Sequence, residues 1–302
     1  MKPDNMIKKI ILVFLFSISI IQPISVSADS EFPDLRECHS PKLQGMLNRA
    51  MRSHKPEYKG AADKRQMGAV VADITDLKNP QVAWYKPDVM YYAASLPKIA
   101  IVVGVFALID QGTIILDPVI ENKLVGMIRN SSNHYATELL RLVGMKQLSQ
   151  ILQDEQYGKL YDPAYGGGLW VGKEYGKSSE RIGDPLNNIS HGATAMQAAR
   201  FYYGAITGTI IDIKHRPLLD KIFGNPAIKH KFVKGLDGRD NVVIYRKSGT
   251  WRDYHADSGV VVHDNFTYIV VYIEHHPEAG SKAVKGIRIV DDVMKEYAYQ
   301  KK

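Results

Sequence analysis

The chain has 302 residues, 45% hydrophobic and 24% charged, with a formal net charge of +7 and one cysteine. This is an ordinary globular composition, long enough for one large domain or two interleaved ones, and it excludes a low-complexity chain. The lone Cys38 excludes an intrachain disulfide scaffold.

The first residues read as a targeting segment. Lys8 and Lys9 precede an apolar run from Ile10 to Ile21, followed by Pro23 and Val26-Ser27-Ala28. A charged start, a short apolar stretch and a small-residue cleavage site define a secretory signal peptide. The run is too short for the roughly 20 residues that span a bilayer. Residues 1–28 are therefore expected to be removed, which leaves 29–302 exported, periplasmic or secreted, with no stable membrane insertion. An uncleaved N-terminal anchor is the alternative. Cys38 follows the charged "DLRE", which argues against lipid modification; it reads as buried and inert.

"LQGMLNRAM", 43–51, has helical spacing. "MGAVVADI", 67–74, and "QVAWYKP", 81–87, read as strands with "DLKNP" as turn material. The apolar run Ile99–Ile109 is too long for a strand and stops at Gly112; it reads as a buried helix with Pro97 in its first turn. Residues 113–225 are mostly helical in pattern, including "NHYATELLRLVG" and "GATAMQAARFYYGAI", while "DPAYGGGLW" reads as a flexible loop. "NVVIYRKSGTW", "HADSGVVVHD" and "FTYIVVYIEHH" form a β-rich meander, and "KAVKGIRIVDDVMKEYAY" a closing amphipathic helix.

Strands early and late with helices between predict an α/β (α+β) fold. Two N-terminal and three C-terminal strands would share one antiparallel sheet, with the first and last helices on one face. The α/β lobe would span about 38–111 and 226–302, and a helical lobe about 112–225, in a single catalytic domain over 29–302. A site is expected between the lobes.

Three motifs occur in order, each once: Ser95-Leu96-Pro97-Lys98, Ser131-Ser132-Asn133 and Lys247-Ser248-Gly249. Each alone is weak; together, in context, they are specific. Ser95 and Lys98 share a face at the start of a helix. A serine hydroxyl needs a base, and a lysine serves if desolvation and a second cation lower its pKa. Lys247 suits that cation. Ser131 can relay a proton to a leaving group. Asn133 can hold a substrate amide or Lys98. Ser248 and Lys247 can bind a carboxylate, with Gly249 beside them. The backbone N–H groups of Ser95 and Thr250 can form an oxyanion hole. The bland alternatives are helix caps, a surface lysine and an edge strand ending in a turn. No metal-ligand spacing and no phosphate loop is present, so no metal and no cofactor is expected. The basic clusters, such as "KHKFVKG" at 229–235, carry no nucleic-acid motif; they read as a solvated face, with no nucleic-acid partner.

The three motifs resemble the active-site serine penicillin-recognising superfamily, most closely its class A β-lactamase-like branch. The resemblance covers the chain from about Cys38 to the last helix. It implies a β-lactamase/transpeptidase-like fold with a five-stranded sheet and an all-helical lobe. It also implies an acyl-serine intermediate with small-molecule β-lactams or D-Ala-D-Ala-type peptidoglycan peptides. In that branch a loop reads R-x-E-x-x-L-N, and its Glu activates the water that deacylates the enzyme. Here "RIGDPLNN", 181–188, supplies Arg181, Leu186 and Asn187, but Gly183 stands at the Glu position. Asp184 and Glu180 are out of register, and Asp184 before Pro185 reads as turn chemistry. The resemblance therefore implies intact acylation and slow deacylation. The segment between Ser95 and Ser131 is short for the branch, so one cleft wall is expected to be reduced. Trp251 stands where a small residue is usual and would either narrow the site or turn out of it. A non-catalytic envelope binding protein and a serine esterase on the same scaffold are the competing readings.

Overall fold

A computed structural model describes residues 31–53, 66–176 and 180–300. The signal-peptide reading falls on residues outside these.

A five-stranded antiparallel sheet orders β2-β1-β10-β9-β8. Its strands are β1 (Met67–Asp73), β2 (Gln81–Tyr85), β8 (Val243–Trp251), β9 (Tyr254–Val262) and β10 (Thr267–His275). β10 is central, and its register pairs Val270 with Val71 on one side and Gly259 on the other. Its run "YIVVYIE" is buried throughout because both sheet faces are covered. α1 (Pro41–Ser53), α8 (Phe232–Leu236) and α9 (Ala279–Tyr299) cover one face around Leu47, Phe232, Tyr268, Ile287 and Met294. α6 (Ala195–Thr207) packs against the other face.

Beyond α6 lie α2 (Lys98–Asp110), α3 (Pro118–Arg129), α4 (Asn133–Val143), α5 (Met145–Gln153) and α7 (Arg216–Phe223). α2 is apolar all round and buried from Lys98 to Leu108, as a central helix must be. α3 starts on Asp117, whose side chain accepts from Ile120 N, with Pro118 in its first turn; α4 starts on Ser132, which accepts from Tyr135 N. Each such cap stabilises its helix by about 1 kcal/mol. β8 is the sheet edge facing these helices, so Lys247-Ser248-Gly249 is presented to them.

Three differences from the sequence reading concern short segments. "DPAYGGGLW" is not all loop: β4 (Tyr161–Asp162) pairs with β5 (Gly167–Gly168), and Leu169 and Trp170 are buried. β3 (Tyr91–Tyr92), β6 (Trp170–Val171) and β7 (His191–Ala193) form a second, three-stranded sheet, so the "GATAMQAAR" helix begins only at Ala195. Cys38 is half-buried rather than buried; its Sγ donates to Asp34 O at 3.2 Å, and burial, with Asp34 and Glu37 nearby, pushes its pKa up.

Candidate active site

β3 leads into Ala94, held at φ +52°, and then a turn carrying half-buried Ser95 and fully buried Leu96. Pro97 caps α2, and Lys98 is its first residue, so Ser95 stands just before the helix rather than on its face. Lys98 has no exposed surface. Its Nζ donates to Ser131 O at 2.6 Å and Asn133 Oδ1 at 2.8 Å, and lies 3.4 Å from Ser131 Oγ. Burial lowers its pKa to about 7. The positive end of the α2 dipole acts in the same direction.

Ser131 adopts φ +56°, an uncommon conformation for a side chain of its type, and both its carbonyl and its hydroxyl meet lysines. Lys247 Nζ donates to Ser131 Oγ at 2.9 Å and Ser248 O at 2.7 Å. Lys247 is buried; desolvation first, then Lys98 and Arg246, pull its pKa well below the usual value. A neutral amine has two N–H bonds and one lone pair. With Ser131 O and Asn133 Oδ1 taking two donors, a neutral Lys98 keeps its lone pair for an incoming proton. The chain therefore brings together Lys98, Ser131, Asn133 and Lys247 from three segments.

Gly249 brings Ser95 into the same site. A Cβ on Gly249 would lie 2.1 Å from Ala93 O, 2.9 Å from Ser95 N and 2.8 Å from Leu96 N. Only a residue without a side chain lets β8 lie against the Ser95 turn. The Ser248 hydroxyl sits 3.2 Å from His230 Nε2. The Thr250 hydroxyl is engaged elsewhere, as an acceptor of Lys231 Nζ at 2.8 Å, which leaves the backbone of Thr250 as the part that can serve a substrate.

That lysine corrects the reading of "KHKFVKG". Lys229 and Lys234 are exposed, as a solvated face requires, but Lys231 and Phe232 between them are buried. Lys231 Nζ donates to Gly249 O at 2.6 Å, Thr250 Oγ1 at 2.8 Å and Ala256 O at 3.0 Å. Three acceptors match the three donors of an ammonium. Burial still lowers its pKa to about 8, against the pull of Asp257. Beside it Arg246 forms a two-pronged pair with Asp257, both bonds 2.7 Å, and burial lowers the pKa of His230 to about 4. These groups fix the strand from behind. Lys231→Met is expected to lower stability by about 1 kcal/mol. Three acceptors lose a donor, which costs about 1–3 kcal/mol, but the desolvated ammonium is removed as well. Chemical denaturation at pH 7 checks this; an unchanged midpoint would contradict it.

No carboxylate of "RIGDPLNN" is turned to this centre. Asp184 is buried, and its oxygens accept from Tyr161 Oη, Leu186 N, Asn187 N and Ile189 N, which makes it the organiser of its own loop. Glu180 is exposed. Arg181 binds back to Asn188 Oδ1 and to the Asn188 carbonyl. Leu186 and Asn187 are exposed. Gly183 is packed against Asn188: a Cβ there would meet Asn188 Oδ1 at 1.9 Å and Cα at 3.0 Å. Trp251 has turned outward, 45% exposed, against the rings of Tyr92 and Tyr254.

The residues missed in the sequence are His230, Lys231, Arg246, Asp257 and Tyr175. The Tyr175 ring lies 4.5 Å from Lys98 Nζ. Nothing in "GKEYGK" signals this, because the contact is made across the fold.

The five-stranded sheet is the one that the resemblance to the active-site serine penicillin-recognising superfamily implies. A sequence profile described as the beta-lactamase enzyme family matches residues 118–297, more than half the chain. The chain belongs to the beta-lactamase enzyme family. The matched span holds Ser131 and Lys247 and begins after Ser95 and Lys98. A sequence search of curated proteins finds no match. Among solved structures, PBP-A is similar at a TM-score of 0.62 and 16% identity, covering 85% of this chain and 97% of that one. A PBP-A point mutant, in an acyl-enzyme complex with penicillin G, is similar at 0.61 and 16%, covering 85% and 98%. A beta-lactamase from Sphaerobacter thermophilus is similar at 0.58 and 16%, covering 82% and 95%. At these identities the likeness is one of fold.

Proposed function

We propose that this chain is an exported serine hydrolase that forms an acyl-serine intermediate with β-lactams or D-Ala-D-Ala-type peptides, and that it releases the acyl group slowly. One observation carries the reading: the Ser131 hydroxyl lies 2.9 Å from Lys247 Nζ and 3.4 Å from Lys98 Nζ, both amines being buried with lowered pKa values. Ser95 Oγ attacks the amide carbonyl, and neutral Lys98 takes its proton. The Oγ–C bond forms while the Ser95 and Thr250 amides hold the oxyanion. As the C–N bond breaks, the proton passes through Ser131 to the departing nitrogen, with Lys247 holding the Ser131 oxygen. Asn133 orients Lys98, and Ser248 with Lys247 receives a substrate carboxylate. Slow release is supported by Gly183, which offers no carboxylate, and by Asp184, which is committed to its loop. The penicillin G acyl-enzyme of the PBP-A mutant supports the substrate class by fold. Export is supported by the pattern of residues 1–28; among the described residues no helix is long and apolar enough to cross a membrane.

The test is intact mass of residues 29–302 mixed with a penicillin, followed from seconds to hours, with the adduct located by digestion. An adduct of the whole penicillin mass on the peptide carrying Ser95, persisting for many minutes, is the expected result. Absence of any adduct would overturn the reading. The second-order acylation rate is further expected to rise with pH through a midpoint at about 7, because the base is the deprotonated form of Lys98. A rate flat between pH 5.5 and 8.5, to take a range of about 1.5 units on each side, would remove Lys98 from that role.

A further inference from the structure

Deacylation requires a water oxygen to bond to the acyl carbon as the Oγ–C bond breaks and a proton returns to Ser95. A base must stand on that water. Around Lys98 the chain places a ring instead. Tyr175 lies with its ring 4.5 Å from Lys98 Nζ and its hydroxyl 3.5 Å from the carbonyl of Ala94, the residue before the nucleophile. It thus reaches from the lysine to the backbone of the Ser95 turn. The segment is pinned at both ends of the residue: Tyr175 N donates to Thr137 Oγ1 at 3.1 Å, and Thr137 Oγ1 donates to Tyr175 O at 3.0 Å. Behind the ring stands His191, 4.3 Å away and itself edge-on to Tyr92 at 6.0 Å. Burial lowers the pKa of His191 to about 4, so its ring is neutral near pH 7 and only a weak base, and its two nitrogens already meet Ser190 Oγ at 3.3 Å and Lys173 O at 3.0 Å. The carboxylate next in sequence, Glu174, is held by Arg141 through bonds of 2.5 and 2.8 Å.

We propose that Tyr175 is a positioning residue that keeps water from the acyl-serine and so sets the lifetime of the acyl-enzyme. This rests on the acylating reading above and deepens it. The ring fills the ground beside Lys98 on which a deacylating water and its base would have to stand. Burial holds the phenol pKa well above its usual value, so the hydroxyl supplies no base of its own near pH 7.

The experiment separates acylation from release. Wild type, Tyr175→Phe, Tyr175→Ala and Thr137→Val are acylated with a penicillin, and adduct formation and loss are each timed by intact mass. For Tyr175→Ala the ratio of the release constant to the acylation constant is expected to rise about tenfold or more. Tyr175→Phe keeps the ring and is expected to restore a long-lived adduct. Thr137→Val, which loosens the segment without removing the ring, is expected to move the ratio the same way by less, and it keeps the test decisive if the alanine variant fails to fold. An unchanged ratio in both Tyr175→Ala and Thr137→Val overturns the proposal while leaving the acylating reading intact. A wild type that forms no adduct overturns both.

Discussion

Replacing Lys98 with methionine is expected to slow acylation by about 10²–10⁴-fold, the usual contribution of a positioned base, and to stabilise the fold at pH 7 by about 0.5–2 kcal/mol. The two effects have one origin. Lys98 carries an amine into a place with no exposed surface and, among the described residues, no carboxylate bonded to it; its two short hydrogen bonds go to Ser131 O and Asn133 Oδ1, with a longer one of 3.4 Å to Ser131 Oγ. Its pKa falls from 10.5 to about 7 through burial. Between those values the unfolded chain binds a proton that the folded chain does not. Stability therefore rises with pH across that window, and neutral pH sits near its unfavourable end. Methionine is apolar and of similar length, so it removes this cost at the expense of two hydrogen bonds. Its advantage should shrink as the pH approaches 10.5. Denaturation of wild type and variant at pH 7 and again near the top of that window reads the difference, with Lys231 common to both proteins and Lys247 relieved of the Lys98 charge in the variant. A variant less stable than wild type at pH 7 would mean that the two hydrogen bonds outweigh desolvation, and that the lysine was not held under strain for its chemistry.

The sheet and the long helices were legible because each rests on many residues acting alike. The apolar run of β10, the all-round burial of α2 and the stop at Gly112 are signals averaged over a whole element. The strands β3, β6 and β7 were not legible, since two- or three-residue pairings leave no periodicity. The site divides in the same way. Ser95, Lys98, Ser131, Asn133 and Lys247 were readable as fixed spacings of reactive residue types within short motifs. Lys231 and Tyr175 meet the site from 19 and 77 residues away in sequence, at Thr250 and at Lys98. Their own surroundings pointed the other way: a lysine between His230 and Phe232 reads as one more charge on a solvated face. Composition misled where a buried polar group is satisfied entirely by backbone oxygens and one hydroxyl, as Lys231 is, because such partners leave no mark in sequence.

Gly183→Glu, which restores the glutamate of the related loop, is expected to lower stability by about 1–3 kcal/mol and to leave release of a penicillin adduct slow. The register with R-x-E-x-x-L-N makes the change look like a repair. The packing says otherwise. A Cβ at 183 would stand 1.9 Å from Asn188 Oδ1, 2.9 Å from its Cγ and 3.0 Å from its Cα. The loop is closed on itself by Arg181 reaching Asn188 and by Asp184 gathering the amides of Leu186, Asn187 and Ile189. Any side chain at 183 must break that closure before its carboxylate can reach anything. Asn188→Gly in addition should recover much of the stability. It removes the two nearest clashing atoms, and the φ of +54° at 188 suits glycine. It also gives up the hydrogen bond from Arg181 to Asn188 Oδ1, which is exposed and worth little. Thermal melts of the single and double variants, with adduct lifetimes beside them, decide between the two views of the loop. A single variant as stable as wild type that sheds its adduct quickly would mean that the loop yields easily and that this chain lacks only a carboxylate. A destabilised single variant, partly rescued by the second change, would mean that Gly183 is required by a loop packed for itself. Slow release would then be built into the fold around Asp184 and Tyr175, and not be the result of one missing group.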